Sequence, residues 1–204
     1  MQEFTITANH FLNRSIRSFY HTNYVGYNKP GNPDYINKLK NTFNSENIQV
    51  LRDAEETLKV VLRDDLAAIK RMLNLPSLTI CVIPRAKAEN SYGVKQLLFK
   101  SAVCETAQQL GYKDGGQYIV RVKNTKTTHL KYCHYIQNDG RLPYKGITND
   151  TCLFSSEIAG KDILLVDDIY TLTVNIDEDC IQALLDRGAR SVTFYAVSKT
   201  VSHQ

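Results

Sequence analysis

The stretch Lys161-Asp-Ile-Leu-Leu-Val-Asp-Asp-Ile-Tyr-Thr-Leu-Thr-Val-Asn175 decides the fold of this 204-residue chain. Its four consecutive apolar residues, Ile163 to Val166, end at the acidic pair Asp167 and Asp168. An apolar run of this length is typical of a parallel strand that is buried on both faces. The amphipathic run Ile176 to Leu185 that follows predicts a crossover helix, so the chain is expected to be an α/β protein.

The polar residues at the end of this strand suit a sugar phosphate. The carboxylates of Asp167 and Asp168 can accept hydrogen bonds from neighbouring hydroxyls. The turn from Thr171 to Asn175 stands at a helix N-terminus, which offers N–H groups and a positive dipole end to a phosphate. Together these groups describe a ribose 5-phosphate. Because Asp also caps turns and helices, the acidic pair taken alone leaves a purely structural role open.

The segment Ile163 to Tyr170 resembles the signature of the type I phosphoribosyltransferases, in which four apolar residues, two acids and two apolar residues precede a Thr-rich phosphate loop. The resemblance implies that Asp167 and Asp168 hold the ribose 2- and 3-hydroxyls. It also implies that a loop of five residues holds the 5-phosphate: Thr171, Leu172, Thr173, Val174 and Asn175. This loop is divergent, because Leu172 and Asn175 replace the usual Thr or Ser and Thr173 replaces the usual Gly. If the Gly position requires positive φ, Thr173 would add about 1–3 kcal/mol of strain.

A second buried strand, Leu78 to Ile83, leads into Pro84-Arg-Ala-Lys87. This order resembles the pyrophosphate loop of the same family, and Val82-Ile-Pro-Arg85 resembles its ComF-like branch. The resemblance implies that Arg85 and Lys87 act with the two acids in catalysis by facing a diphosphate, with Ala86 beside them. The alternative is that the two cations are solvated loop residues.

The basic segment after a short predicted strand, Tyr118 to Arg121, corresponds to the mobile flap of the family. The resemblance implies that Arg121 and Lys123 bind the ligand and that Val122 to Lys131 closes over it. Two histidines in this region, His129 and His134, have no nearby carboxylate in sequence, and they are interpreted as surface residues.

The N-terminal part is predicted to be largely helical. Phe4 to Thr7 could form a short strand, Asn32-Pro33 begins a helix that runs to about Phe43, and a second helix runs from Ser45 to about Leu73. The predicted fold is type I phosphoribosyltransferase-like, with a central, mostly parallel sheet flanked by helices and a helical N-terminal part. Residues 1–75 would form the hood and helical layer, and residues 76–204 the core of the same domain.

Composition limits the classes of protein that fit. The chain is 43% hydrophobic and 23% charged, which is typical of a folded domain, and no apolar stretch approaches the ~18 residues of a membrane span. The N-terminus lacks the pattern of a signal peptide, so we expect a cytoplasmic protein without a membrane partner. Five cysteines without a Cys-x-x-Cys spacing disfavour a disulfide framework or a zinc site: Cys81, Cys104, Cys133, Cys152 and Cys180.

Charge is distributed unevenly along the chain. Residues 85–145 contain eleven Lys and Arg against four Asp and Glu, whereas residues 151–204 contain four against eight. Charge of both signs suits a polyanion that carries Mg²⁺, and the resemblance implies 5-phosphoribosyl 1-diphosphate with Mg²⁺ on its diphosphate and no protein metal ligand.

The expected reaction is transfer of the phosphoribosyl group to a nitrogen acceptor, as in nucleotide metabolism. One alternative is a catalytically divergent sensor or effector subunit that acts with a protein partner in a DNA-uptake or genome-defence assembly. The basic region would also attract nucleic acid, but the chain has no nucleic-acid-binding motif. A homo-oligomer is compatible with all of these interpretations.

Overall fold

The computed structural model describes residues 1–128 and 138–201. Along these residues the strands and α-helices follow in the order β1 (Gln2–Ile6), β2 (Ile16–Tyr24), α1 (Asp34–Lys40), α2 (Ile48–Leu73), β3 (Thr79–Val82), α3 (Leu98–Gln109), β4 (Lys113–Asp114), β5 (Ile119–Arg121), β6 (Cys152–Phe154), β7 (Asp162–Tyr170), α4 (Ile176–Asp186) and β8 (Ser191–Thr200). Short 3₁₀ helices at Glu89–Ser91, Val94–Gln96 and Ser156–Ile158 complete the secondary structure of this part of the chain.

The central sheet has six strands in the order β1-β2-β8-β7-β3-β4. The β1–β2 pair is antiparallel, and the other neighbouring strands are parallel. The prediction of an α/β fold with a mostly parallel sheet flanked by helices is therefore confirmed. Val82 of β3 lies opposite Val166 of β7, so these strands present their carboxyl ends side by side. This edge is where parallel α/β sheets bind ligands.

The two faces of the sheet are covered by different helices. Residues Ile163 and Leu165 of β7 pack on one face with residues of α4, and Leu164 and Val166 pack on the other face with α1, α2 and α3. All four of these β7 side chains are fully buried, as expected of a strand with helices on both sides. Their burial fixes the position of Asp167 and Asp168, which follow directly in the same strand.

The predicted N-terminal helices are confirmed as α1 and α2, and the short strand predicted near Phe4 is β1. Strand β2 was not predicted. It pairs in parallel with β8 and so joins the N-terminal region to the central sheet. Its buried residues Ser18, Phe19 and Tyr20 include a polar one and are flanked by Arg17 and His21, so β2 shows neither a continuous apolar run nor a regular alternation. Residues 1–75 thus contribute two sheet strands as well as a helical layer.

A small second sheet lies beside the main one. Strand β5, predicted from the sequence, pairs antiparallel with β6, which was not predicted. The buried residues Ile119 and Cys152 of this pair belong to the same apolar cluster as α4. Among the helices of the described ranges, none is both long enough and apolar enough to cross a membrane.

Candidate active site

A cavity of about 310 Å³ opens at the carboxyl ends of β3 and β7. It brings together six of the residues that the sequence singled out, namely Arg85, Ala86, Lys87, Arg121, Asp167 and Asp168. The acids come from the end of β7, the first three residues from the loop after β3, and Arg121 from the end of β5. Residues separated by more than eighty positions in the chain therefore share one cavity of mixed charge.

The acidic corner of the cavity contains a carboxyl that the sequence did not single out. Asp177, in the first turn of α4, is buried and interacts electrostatically with Asp167. Burial, reinforced by Asp168, raises the pKa of Asp167 to about 7. Burial and the neighbouring Asp167 raise the pKa of Asp177 well above its ordinary value. Two neighbouring buried carboxyls disfavour the state in which both are ionised, so we expect this pair to retain a proton near neutral pH.

Two further acids follow Asp177 in the first turn of α4, and both are buried. The Tyr170 hydroxyl donates to Glu178 Oε1 at 3.0 Å, and burial raises the pKa of Glu178. The backbone N–H groups of Gly146 and Ile147 donate to Asp179 Oδ2 at 2.6 and 2.9 Å. The positive end of the α4 dipole is therefore occupied by carboxylates of the helix itself.

The predicted phosphate loop lies outside the residues that line the cavity, among those the structure describes. Thr171 Oγ1 is 2.7 Å from Thr200 Oγ1, and the Asn9 amide donates to Asn175 Oδ1 at 3.2 Å. Leu172 is 67% exposed, and the Val174 N–H donates to the Thr171 carbonyl in a turn. Thr173 is exposed, and it is not among the described residues with positive φ, so the strain considered for it does not arise.

Both arginines that line the cavity donate hydrogen bonds to backbone carbonyls of the surrounding segments. Arg85 donates to the carbonyls of Gln96 and Lys40 at 2.5 and 2.6 Å, and its guanidinium lies 4.5 Å from the centre of the Tyr92 ring. Arg121 is 3% exposed and donates to the carbonyls of Arg85 and Gly146 at 2.7 and 2.8 Å. Each arginine therefore links two separate segments of the chain. To donate to a ligand from these N–H groups, either arginine would first have to give up a hydrogen bond to a backbone carbonyl.

The lysines of this region differ in their placement. Lys87 Nζ is 2.5 Å from Asp139 Oδ1 and 2.6 Å from the Asp139 carbonyl oxygen. Lys123, predicted to bind the ligand, is exposed and lies outside the cavity lining of the described chain. Lys100, which the sequence did not single out, lines the cavity and pairs with Glu89 at 2.7 Å.

One wall of the cavity comes from the N-terminal layer, in which the sequence analysis singled out no site residue. Lys40 at the end of α1 pairs with Asp168 at 3.4 Å between Nζ and Oδ2, and the 63% exposed Phe43 lies in the loop after it. Nothing in the local sequence pattern marks these two residues. Their connection to the acidic pair depends on how α1 packs against residues more than 120 positions away.

The described part of the predicted flap also reaches the cavity, together with Asn138, which lies beyond the flap in sequence. The Thr127 N–H donates to Asn138 Oδ1 at 2.7 Å, and the Asn138 amide donates to the Thr127 carbonyl at 2.9 Å. Thr127 and Asn138 both line the cavity. The remainder of the predicted flap, from His129 to Lys131, lies outside the described residues, as do Cys133 and His134.

Within the described ranges, no group of three or more His, Cys, Asp or Glu side chains has an arrangement that could hold a metal ion. A scan against protein-family models gives no match for this chain, and a search of curated proteins gives none either. The functional interpretation therefore depends on the cavity and on the sequence motifs around it.

Proposed function

We propose that the protein binds 5-phosphoribosyl 1-diphosphate, or a related ribose-phosphate nucleotide, in this cavity and transfers the phosphoribosyl group to a nitrogen acceptor. The observation that supports this most strongly is the meeting of Asp167 and Asp168 with Arg85 and Lys87 around one cavity at the carboxyl edge of a parallel sheet. Acceptors for sugar hydroxyls and donors for a diphosphate are the two halves of such a site.

The proposed roles follow from the chemistry of each side chain. The Asp167 and Asp168 side chains accept hydrogen bonds from the ribose 2- and 3-hydroxyls. Lys87 exchanges Asp139, and Arg85 exchanges the Gln96 carbonyl, for oxygens of the diphosphate. Mg²⁺ enters with the diphosphate as part of the substrate and neutralises its charge. Ala86, between the two cations, lets the backbone approach the ligand closely.

The reaction is a substitution at C1 of the ribose. The nitrogen acceptor forms the new N–C1 bond, the C1–O bond breaks, and pyrophosphate leaves with the electron pair, after which the acceptor nitrogen loses its proton. The contribution of the protein is to hold the two reactants in line and to stabilise the charge on the leaving group. The identity of the acceptor is left open by this proposal.

Calorimetric titration with phosphoribosyl diphosphate and Mg²⁺ tests the proposal. The wild type should bind saturably, and the Asp167→Asn, Asp168→Asn double variant should lose binding. The matched control is the Asp53→Asn, Asp64→Asn double variant, which removes two exposed carboxylates of α2 and should bind like the wild type. A wild type that does not bind, or a control variant that loses binding equally, would contradict the proposal.

A second candidate function is a non-catalytic member of the same fold, a sensor or effector subunit that binds the nucleotide and acts through a partner. The observation that favours it is the first turn of α4, where Asp177, Glu178 and Asp179 take the place at which a 5-phosphate is expected. Pyrophosphate release in the presence of nucleobases, amines or ammonia separates the two functions. Saturable binding without release supports the sensor, and release that depends on Asp167 supports the transferase.

A further inference from the structure

Lys40 joins the two halves of the cavity. Its backbone carbonyl accepts a hydrogen bond from Arg85 Nη2 at 2.6 Å, and its ammonium lies 3.4 Å from Asp168 Oδ2. The side chains of Lys40 and Asp168 are 26% and 22% exposed, so this ion pair is shielded more than one at the surface. The helix ends directly after Lys40 because Asn41 adopts a left-handed conformation with φ 38°. This ending directs the last residue of α1 to the cavity.

The other charged groups around Asp167 and Asp168 show why the Lys40 ammonium is important for these two acids. From α4, Asp177 and Glu178 add two buried carboxyls. The cations that line the same cavity from other elements are held by partners of their own: Arg85 by the Lys40 and Gln96 carbonyls, Lys87 by Asp139, Lys100 by Glu89, and Arg121 by the Arg85 and Gly146 carbonyls. Among the residues that the structure describes, Lys40 is the cation that forms an ion pair with an acid of the Asp167–Asp168 pair.

We propose that Lys40 is a positioning residue that holds Asp167 and Asp168 as an oriented, anionic acceptor for ribose hydroxyls. This inference rests on the proposed ribose-phosphate site and assigns one more residue to it. A protonated carboxyl donates with one oxygen and so offers fewer acceptors, whereas an ionised pair can accept from both hydroxyls. The Lys40 charge opposes the burial and the neighbouring Asp168 charge, which favour protonation of Asp167.

The Lys40→Ala variant isolates the side chain, because the backbone carbonyl that anchors Arg85 remains. Lys38→Ala is the matched control, since Lys38 lies in the same last turn of α1 and is exposed. Lys40→Arg keeps the charge. Carboxyl carbon resonances of Asp167, followed by NMR across pH 4 to 10 without ligand, should titrate about one pH unit higher in Lys40→Ala than in the wild type.

The control should titrate like the wild type, and Lys40→Arg should restore most of the difference. An unchanged Asp167 midpoint in Lys40→Ala overturns the inference whether or not the protein binds a nucleotide. This measurement therefore separates the role of Lys40 from the proposed function itself.

Binding of phosphoribosyl diphosphate with Mg²⁺ at two pH values provides the second readout. A midpoint that is one pH unit higher leaves about tenfold less ionised Asp167 at pH 6 and nearly the same amount at pH 9. Lys40→Ala should therefore weaken binding about tenfold at pH 6 and much less at pH 9. An equal loss at both pH values would mean that Lys40 simply attracts the polyanion, which overturns the positioning role. No binding by the wild type at either pH refutes the proposed function, and the NMR result then decides the role of Lys40 alone.

Discussion

Replacing Asp177 by asparagine should stabilise the protein, and more so as the pH rises. The wild type buries the Asp167–Asp177 pair in a form that needs a proton, whereas both carboxyls are ionised in the unfolded chain above about pH 4. Folding then takes up protons, so the free energy of unfolding falls as the pH rises. The amide introduced by Asp177→Asn would donate to Asp167 at every pH, and its second polar atom would replace Asp177 Oδ1, which has no partner among the described residues.

The expected magnitude follows from the number of protons. Each proton that the folded state binds in excess changes the free energy of unfolding by about 1.4 kcal/mol per pH unit. If Asp177→Asn removes one such proton, the free energy of unfolding of the variant relative to the wild type should rise by about 3 kcal/mol between pH 5 and pH 7. Urea unfolding at pH 5, 6, 7 and 8 measures this difference, with Asp64→Asn as a control for an exposed carboxylate. Stability curves of the variant and the wild type that stay parallel across these pH values would refute the shared proton.

Three further changes test other contacts. Gly115→Ala should lower the free energy of unfolding by about 2 kcal/mol in denaturant titrations, since its Cβ would lie 2.6 Å from a backbone carbonyl, whereas Gly93→Ala meets an adjustable side chain at 3.3 Å and should cost less. Arg121→Lys should cost about 2 kcal/mol by the same measurement, because an ammonium cannot reproduce the planar fork that reaches two loops. Asp162→Asn should lower the free energy of unfolding by about 1–3 kcal/mol at pH 7. Arg190 holds the pKa of Asp162 below its usual value, so the stability difference between Asp162→Asn and the wild type should decrease below about pH 4 and vanish below the lowered pKa of Asp162.

The central part of the fold could be predicted because its pattern is local. The run Ile163 to Val166 is buried on both faces, and such a run is readable from four neighbouring residues. Strand β2 could not be predicted in this way, because polar residues such as Arg17, Ser18 and His21 interrupt its apolar ones and its partner β8 is about 175 positions away. Strand β6 is only three residues long and depends on pairing with β5, so it lacks a period of its own.

The candidate site was predictable to a similar extent and for a similar reason. Asp167 and Asp168 lie near the carboxyl end of β7, Arg85 and Lys87 lie in the loop after β3, and parallel strands bring such residues to one edge. Their present hydrogen bonds were not predictable, because they depend on loops far away in sequence. Lys40 also escaped prediction, since it lies in the last turn of a helix, where a lysine is common simply because it favours the dipole.

The first turn of α4 connects the chemistry of the site to the stability of the fold. The N–H groups of a helix N-terminus attract one negative group, which in a nucleotide-binding protein is a phosphate. Here the helix brings its own carboxylates, and the cost of burying them appears as the raised pKa values of Asp177 and Glu178. A ligand phosphate at this turn would add negative charge beside carboxyls whose raised pKa values already favour the protonated form. A bound ribose phosphate therefore either directs its phosphate toward the lysines and arginines of the cavity or takes up a proton on binding. Calorimetry in buffers of different ionisation enthalpy distinguishes these two outcomes.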